Sequence, residues 1–135
     1  VDAGGTRMPA TPELMEQRRQ YVYMNGREIF KHAVRGMCES SERAVAEAGC
    51  RLDDVALVVP HQANVRIIEA IAKRLELPME RFFVNLDRYG NTSAASVPIA
   101  LYEAEQQGRI KPGDLVLLTA FGGGLTWGSA LVRWG

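Results

Sequence analysis

The sequence predicts an α/β protein with one mixed five-stranded sheet, and three observations support this prediction. Short apolar runs alternate with longer segments whose apolar residues recur with a helical period. Residues 55–59 are apolar throughout, which is typical of a strand buried on both faces. A short glycine-rich stretch separates the last two runs, and it leaves no room for a crossover helix. The predicted order is therefore β-α-β-α-β-α-β-β, with parallel strands followed by an antiparallel pair.

The elements can be placed along the chain in order. Residues 1–20 are predicted to form a loop with a short helix at 12–19, because glycine and proline interrupt any regular pattern there. Residues 21–135 are predicted to form one domain, and Gly49 and Gly108 are expected to end two of its helices. Strands are expected at 21–24, 55–59, 82–84, 115–121 and 126–134, and helices at about 28–48, 64–75 and 93–107.

The composition limits the class of protein. The 135 residues include 16 basic and 16 acidic side chains, so the net charge favours neither a nucleic acid nor a membrane as a partner. The apolar stretches are too short for a transmembrane helix. The sequence starts without methionine, in residues typical of a loop, which favours a fragment or a processed piece of a longer protein.

The two cysteines, Cys38 and Cys50, form neither a disulfide framework nor a zinc-binding pattern. Cys38 falls on the apolar face of a predicted helix, and Cys50 lies just past the end of that helix. We interpret both as buried or unreactive thiols in a reducing cytosol. A cytoplasmic protein without a metal site is therefore expected.

The first motif, Pro-His-Gln-Ala-Asn-Val-Arg-Ile at 60–67, lies between the most apolar strand and a predicted helix. In α/β proteins, ligands and reactive groups collect at the carboxyl ends of buried strands. His61 is expected there, and its neutral ring offers one N–H donor and one acceptor. A lone histidine beside an apolar strand is more often structural, so its role depends on what the other motifs add.

Two further motifs follow later apolar runs. Gly-Asn-Thr-Ser-Ala-Ala-Ser at 90–96 places Asn91 just before a helix. Gly-Asn is also a common turn pair, and Asn-Thr-Ser fits a glycosylation sequon, although nothing indicates secretion. Phe-Gly-Gly-Gly-Leu-Thr-Trp-Gly at 121–128 matches neither a dinucleotide-binding nor a P-loop pattern. Its glycines suit a tight turn or a close approach of backbone to a ligand.

In this order the three motifs resemble the carboxyl-terminal half of β-ketoacyl-acyl-carrier-protein synthase III, the initiating condensing enzyme of fatty-acid synthesis. The resemblance runs from about Tyr21 to Trp134. It implies one of the two duplicated halves of a thiolase-like fold, an amino-terminal half that carries the nucleophilic cysteine, and a homodimer when complete. Because that cysteine is missing here, the isolated chain is expected to be inactive.

The resemblance also implies a reaction, the decarboxylative Claisen condensation of acyl-CoA with malonyl-acyl carrier protein. His61 and the side-chain amide of Asn91 would donate hydrogen bonds to the malonyl thioester oxygen, where negative charge develops. The backbone N–H of Gly123 would hold the oxyanion of the acyl-cysteine intermediate. CoA and phosphopantetheine thioesters would be the substrates, and no separate cofactor is expected.

Two larger sets of residues follow from the same resemblance. Arg66, Lys73 and Arg74 share one helix face by spacing, although an ordinary solvated surface would show the same spacing. Docking of the acidic acyl carrier protein is implied for Lys31, Arg66, Lys73 and Arg74. Substrate binding is implied for Gly26, Phe30, Ala63, Asn64, Ile67, Phe121 and Gly122.

Other interpretations remain open at this point. A related condensing enzyme of secondary metabolism would share these motifs, whereas the His-Gln-Ala-Asn-x-Arg motif disfavours a thiolase. A stand-alone binding module could keep the fold without any activity. A hydrolase is disfavoured because the sequence has no Gly-x-Ser-x-Gly elbow. A longer upstream reading frame that encodes an exposed cysteine would favour the enzyme over the module.

Overall fold

The computed structural model describes residues 4–135, and its sheet is mixed and three-stranded. Strand β1 is Val55–Pro60, β2 is Leu115–Gly122 and β3 is Thr126–Arg133, in the order β1-β2-β3 across the sheet. Strands β1 and β2 are parallel, whereas β2 and β3 are antiparallel neighbours. The prediction of a final antiparallel pair joined through glycines is therefore confirmed.

The helices begin and end at residues with a clear local reason. The side-chain oxygens of Asn25 and Asn64 accept hydrogen bonds from the backbone N–H groups of Glu28 and Arg66, which caps two helix starts. Gly49 follows the longest helix with φ of +69°, a conformation that favours glycine. The α-helices of the described residues are α1 Pro12–Glu16, α2 Gly26–Glu47, α3 Val65–Arg74, α4 Leu86–Tyr89 and α5 Ser96–Gln106, and single 3₁₀ turns occupy Leu52–Asp54, Met79–Arg81 and Ser93–Ala95.

The core has two parts, one on each face of the sheet. Helices α2 and α3 pack on one face, where they bury Val58 and Leu117. Helix α5 packs on the other face, against Leu57, Val59 and Val116. Alternate residues of β1 therefore point into different clusters, and the prediction of a strand buried on both faces is confirmed. The α/β class is confirmed with it.

The predicted five-stranded sheet is wrong, and the first reason lies at 21–24. These residues belong to no strand, and Val22 and Tyr23 are 79% and 88% exposed. Aromatic and β-branched residues favour strands only where a partner edge and a packing surface are available. Neither is available to this segment in the described chain.

The second reason lies at 82–84, where pairing with β1 stops after one bridge. Phe82 bridges Val58 in parallel, and the backbone N–H of Phe83 donates to the Val58 carbonyl at 2.9 Å. The Phe83 carbonyl is then taken by the side-chain amide of Gln62 at 3.0 Å. The next hydrogen bond of the ladder would need an N–H at position 60, which Pro60 lacks, so the Gln62 side chain takes this carbonyl instead. The expected strand is therefore reduced to a single bridge.

Part of the predicted lead-in at 1–20 can also be placed. Residues 1–3 lie outside the described residues, and α1 occupies the first part of the helix expected at 12–19. Among the helices described, none combines the length and the apolar character needed to cross a bilayer.

Candidate active site

A cleft of about 940 Å³ opens beside the carboxyl ends of β1 and β2 and the glycine hairpin between β2 and β3. All three sequence motifs contribute to its wall, although they lie far apart in the sequence. The three motifs come together because the carboxyl ends of parallel strands lie at one edge of a sheet. Two of the motifs follow or end a strand, and the third follows the segment that pairs with β1 through a single bridge. The predicted site residues on the wall are His61, Ala63, Ile67, Asn91, Phe121, Gly122 and Gly123.

His61 is held from its backbone and from its ring. Its N–H donates to the Thr119 carbonyl at 2.8 Å, which extends the pairing of β1 with β2 by one residue. Its ring Nδ1 lies 2.6 Å from the Ser96 hydroxyl, so Nε2 is the ring nitrogen left for the cleft. Burial lowers the pKa of His61 below its ordinary value, which favours the neutral ring at neutral pH.

Asn91 is oriented by a short turn that it makes with its own chain. Its Oδ1 accepts a hydrogen bond from the Ser93 N–H at 2.9 Å. The amide nitrogen Nδ2 is therefore the end of the side chain that remains for the cleft. Ser93 has φ of +53° and Gly90 has φ of +65°, so the backbone bends sharply on both sides of Asn91. The cleft thus holds one ring nitrogen of His61 and the amide nitrogen of Asn91, and the other polar atom of each side chain is occupied.

Gln62 connects the two segments that carry these donors. It is 1% exposed, and its amide nitrogen donates to the carbonyls of Pro60 at 2.9 Å and Phe83 at 3.0 Å. Its side-chain oxygen accepts from the Asn85 N–H at 3.1 Å. A buried amide therefore pairs three backbone groups next to His61 and before the helix that leads to Asn91.

Glu103 of α5 holds helix α4, which directly precedes Gly90. Its carboxylate accepts hydrogen bonds from Asn85 at 2.9 Å, from the Tyr89 hydroxyl at 2.7 Å and from both guanidinium ends of Arg88. The Asn85 hydrogen bond is the largest cause that lowers the pKa of Glu103, followed by that of Tyr89. The charged carboxylate is thus favoured at neutral pH, and it fixes the start of the 90–96 motif.

Sequence reasoning missed Gln62, Asn85, Ser96 and Glu103. Gln62 and Ser96 lie inside the quoted motifs, so their position was visible but their partners were not. Asn85 and Glu103 carry no local signal, because their roles exist only once α4 and α5 have packed together.

Two stacked aromatic rings lie at the ends of the glycine hairpin. The rings of Phe121 and Trp127 are stacked with centroids 6.3 Å apart and an interplanar angle of 7°. Trp127 also packs on the backbone of α2, where a Cβ added at Gly36 would lie 2.6 Å from its ring. Only glycine permits this approach of ring to helix. Both aromatic rings belong to the wall of the cleft.

The cysteines do not offer an activated nucleophile. Burial raises the pKa of the Cys38 thiol to about 11, so almost no thiolate is present at neutral pH. Cys38 and Cys50 are both free thiols, and neither lies on the wall of the cleft. Within residues 4–135, no cluster of histidine, cysteine and carboxylate side chains is suited to a metal ion.

Comparison with known proteins decides the family. Residues 45–134 match the family described as 3-oxoacyl-[acyl-carrier-protein (ACP)] synthase III C terminal. The chain belongs to this family. Its sequence is 76% identical over 134 residues to the β-ketoacyl-[acyl-carrier-protein] synthase III of Roseiflexus sp. strain RS-1, a match that covers 99% of this chain and 41% of the relative. The family predicted from the three motifs is thus confirmed.

Solved structures of related enzymes have the same fold as this chain. The β-ketoacyl-[acyl carrier protein] synthase III of Thermus thermophilus is 58% identical with a TM-score of 0.82, over 84% of this chain and 35% of the other. The priming β-ketosynthase of the R1128 polyketide biosynthetic pathway is 32% identical with a TM-score of 0.73, over 88% of this chain and 39% of the other. The fold is that of the thiolase-like condensing enzymes, and the chain spans about two fifths of the length of these proteins.

The remaining residues that the family resemblance implied lie outside the wall of the cleft. Gly26 begins α2, Phe30 is half-buried on the same helix, and the Asn64 side chain caps α3. Lys31 is exposed and forms an ion pair with Glu28 at 2.9 Å. Arg66, Lys73 and Arg74 are exposed on α3.

Proposed function

We propose that this chain forms the carboxyl-terminal part of the active site of a β-ketoacyl-[acyl-carrier-protein] synthase III, which condenses acyl-CoA with malonyl-acyl carrier protein. The observation that carries this proposal is the pair of donors, His61 and Asn91, on the wall of one cleft. In each side chain the second polar atom is occupied, at 2.6 Å by Ser96 and at 2.9 Å by Ser93. The family membership supports the same chemistry.

The proposed role of the two donors follows from where charge develops. When a malonyl thioester loses carbon dioxide, negative charge accumulates on its thioester oxygen. Preorganised donors aimed at this oxygen would each lower the barrier by about 3–4 kcal/mol. A neutral imidazole and an amide suit this task, since neither brings a charge whose burial would have to be compensated.

The rest of the wall is proposed to bind the substrates, with no cofactor beyond their CoA and phosphopantetheine thioesters. The backbone N–H of Gly123 would hold the oxyanion formed when the enolate attacks an acyl-cysteine, since Gly123 is exposed in the hairpin and a Cβ there would meet nothing within 4 Å. Ala63, Ile67, Phe121 and Gly122 would contact the thioester arm and the acyl chain, and Gly26, Phe30 and Asn64 would lie near the entrance.

The partners of the complete protein are proposed from the same family. They are the acyl carrier protein, acyl-CoA, the amino-terminal half with the nucleophilic cysteine, and a second copy in a cytoplasmic homodimer. Residues 21–24 and most of β3 are exposed, which gives the amino-terminal half an apolar surface to cover.

The proposal can be tested in a hybrid synthase, in which this chain replaces the matched carboxyl-terminal part of the Roseiflexus protein. The hybrid is expected to load an acyl group, release carbon dioxide from malonyl-acyl carrier protein and form the β-ketoacyl product. The 135-residue chain alone is expected to load no acyl group and to form no β-ketoacyl product, because its buried Cys38 is not a competent nucleophile. A hybrid that loads the acyl group but never decarboxylates would contradict the proposal. Turnover by the chain alone, lost on replacing Cys38 or Cys50, would contradict it as well.

Carrier-protein docking gives a separate prediction for the exposed face of α3. In the hybrid synthase, Arg66→Glu is expected to reduce kcat/KM for malonyl-acyl carrier protein by about tenfold, because a rim charge acts mainly on association with an acidic partner. The reaction with a small malonyl thioester should change little, and added salt should shrink the difference.

The matched control is Lys111→Glu, which makes the same charge change on an exposed residue before the amino end of β2, away from the cleft. It is expected to leave both reactions unchanged. Equal losses for carrier protein and small thioester in Arg66→Glu would show that Arg66 is structural and that docking lies elsewhere.

A further inference from the structure

The proposed function requires a proton on a particular nitrogen of His61. A neutral imidazole carries one proton, on either Nδ1 or Nε2, and the other nitrogen can only accept. Nδ1 is turned to Ser96, so a donor for the cleft exists only if the proton is on Nε2. The group that selects this tautomer must therefore be found in the surroundings of Nδ1.

The Ser96 hydroxyl has two partners, and one of them determines its direction. The backbone N–H of Gln62 lies 3.2 Å from the Ser96 oxygen and can only donate, so the oxygen accepts there. The hydroxyl proton is then free for His61 Nδ1, which lies at 2.6 Å and is the remaining partner of this hydroxyl in the described structure. We infer that Ser96 is a positioning residue, whose hydroxyl donates to Nδ1 and thereby keeps the His61 proton on Nε2.

The location of Ser96 holds this arrangement in place. Ser96 is 2% exposed, so its hydroxyl cannot turn towards solvent. It is the first residue of α5, yet the cap position of that helix is Ala95, and no side chain caps it. The hydroxyl is therefore not used to start the helix, and its contacts are those with His61 and Gln62.

One short segment consequently orients both donors. Ser93 holds the oxygen of Asn91 through its backbone N–H, and three residues later Ser96 holds Nδ1 of His61. In each case the accepting atom of the side chain is occupied and the donating atom is left for the cleft. This inference rests on the proposed function, and it assigns the tautomer of His61 to one hydroxyl of the 93–96 segment.

The direct test is ¹⁵N NMR of the hybrid synthase labelled at histidine, with His61→Gln used to assign the His61 resonances. The unaltered protein at neutral pH should show a protonated Nε2 and an unprotonated, hydrogen-bonded Nδ1. A proton on Nδ1 in the unaltered protein would overturn the inference without any variant of Ser96.

Variants of Ser96 give a second, kinetic test. Ser96→Ala should produce a mixture of tautomers and slow decarboxylation by about tenfold or more, because molecules with the proton on Nδ1 lose one oxyanion donor. Acyl loading should stay within about twofold, and Ser96→Thr should restore both the NMR signature and the rate, since it keeps the hydroxyl. If Ser96→Ala keeps the single tautomer and the full rate, while His61→Ala loses decarboxylation, the inference fails and the proposed function stands. If His61→Ala decarboxylates normally, the proposed function itself fails.

Discussion

Replacing His61 or Asn91 by alanine in the hybrid synthase is expected to slow decarboxylation of the malonyl thioester by about 100- to 1000-fold, the typical cost of one oxyanion donor. Acyl loading should be nearly unchanged, because it is proposed to take place on a cysteine of the amino-terminal half. The measurement follows carbon dioxide release by isotope and acyl-enzyme by mass on the same samples.

Two further variants sharpen this prediction. Because both donors are proposed to meet one oxygen, the double alanine variant should lose less than the product of the two single losses. Asn91→Asp should be slower than Asn91→Ala, since a carboxylate would place negative charge beside the developing enolate. If His61→Ala instead loses acyl loading and decarboxylates normally, His61 is the base that activates the cysteine.

The largest effect on stability is expected at Gln62. Gln62→Ala would leave the Pro60 carbonyl, the Phe83 carbonyl and the Asn85 N–H without their buried partner. Each unpaired buried group costs about 1–3 kcal/mol, so the free energy of unfolding should fall by about 3 kcal/mol or more. Urea unfolding of the 135-residue chain measures this difference.

Two control variants distinguish the effect of lost hydrogen bonds from the effect of lost side-chain volume. Gln62→Met fills a similar volume without donors or acceptors, so it should remain almost as destabilised as the alanine variant. Gln106→Ala removes an exposed glutamine of α5 and should change the free energy of unfolding by less than about 0.5 kcal/mol. A Gln62→Ala variant as stable as Gln106→Ala would show that the three backbone groups find other partners.

The parts of the fold predicted from the sequence are those whose signal is local. Residues 55–59 are apolar throughout, and they form a strand buried on both faces. The three glycines at 122–124 leave room only for a hairpin, and the two strands they join are antiparallel. The two absent strands were misjudged because strand propensity does not specify a partner edge. At 82–84, the pairing ends because Pro60 has no N–H for the Phe83 carbonyl, which Gln62 takes instead.

In the candidate site, too, only the features with a local sequence signal could be predicted. His61, Asn91 and the glycines could be named in advance because each follows an apolar run in a recognisable motif. The tautomer of His61 and the direction of the Asn91 amide could not, since they depend on hydrogen bonds to Ser96 and Ser93. Glu103 could not be predicted either, because its partners Asn85, Arg88 and Tyr89 lie 14 to 18 positions earlier in the sequence and meet it only after folding.

The contact between Gly36 and Trp127 makes the shape of the cleft depend on a residue that does not lie on its wall. A methyl group at position 36 would overlap the indole, so the ring and its stacked neighbour Phe121 would have to move together. Both rings form part of the wall of the cleft, whereas His61 and Asn91 are held by hydrogen bonds to Ser96 and Ser93. If the cleft receives an acyl chain as proposed, a substitution at Gly36 should alter the preference for that chain while His61 and Asn91 stay in place.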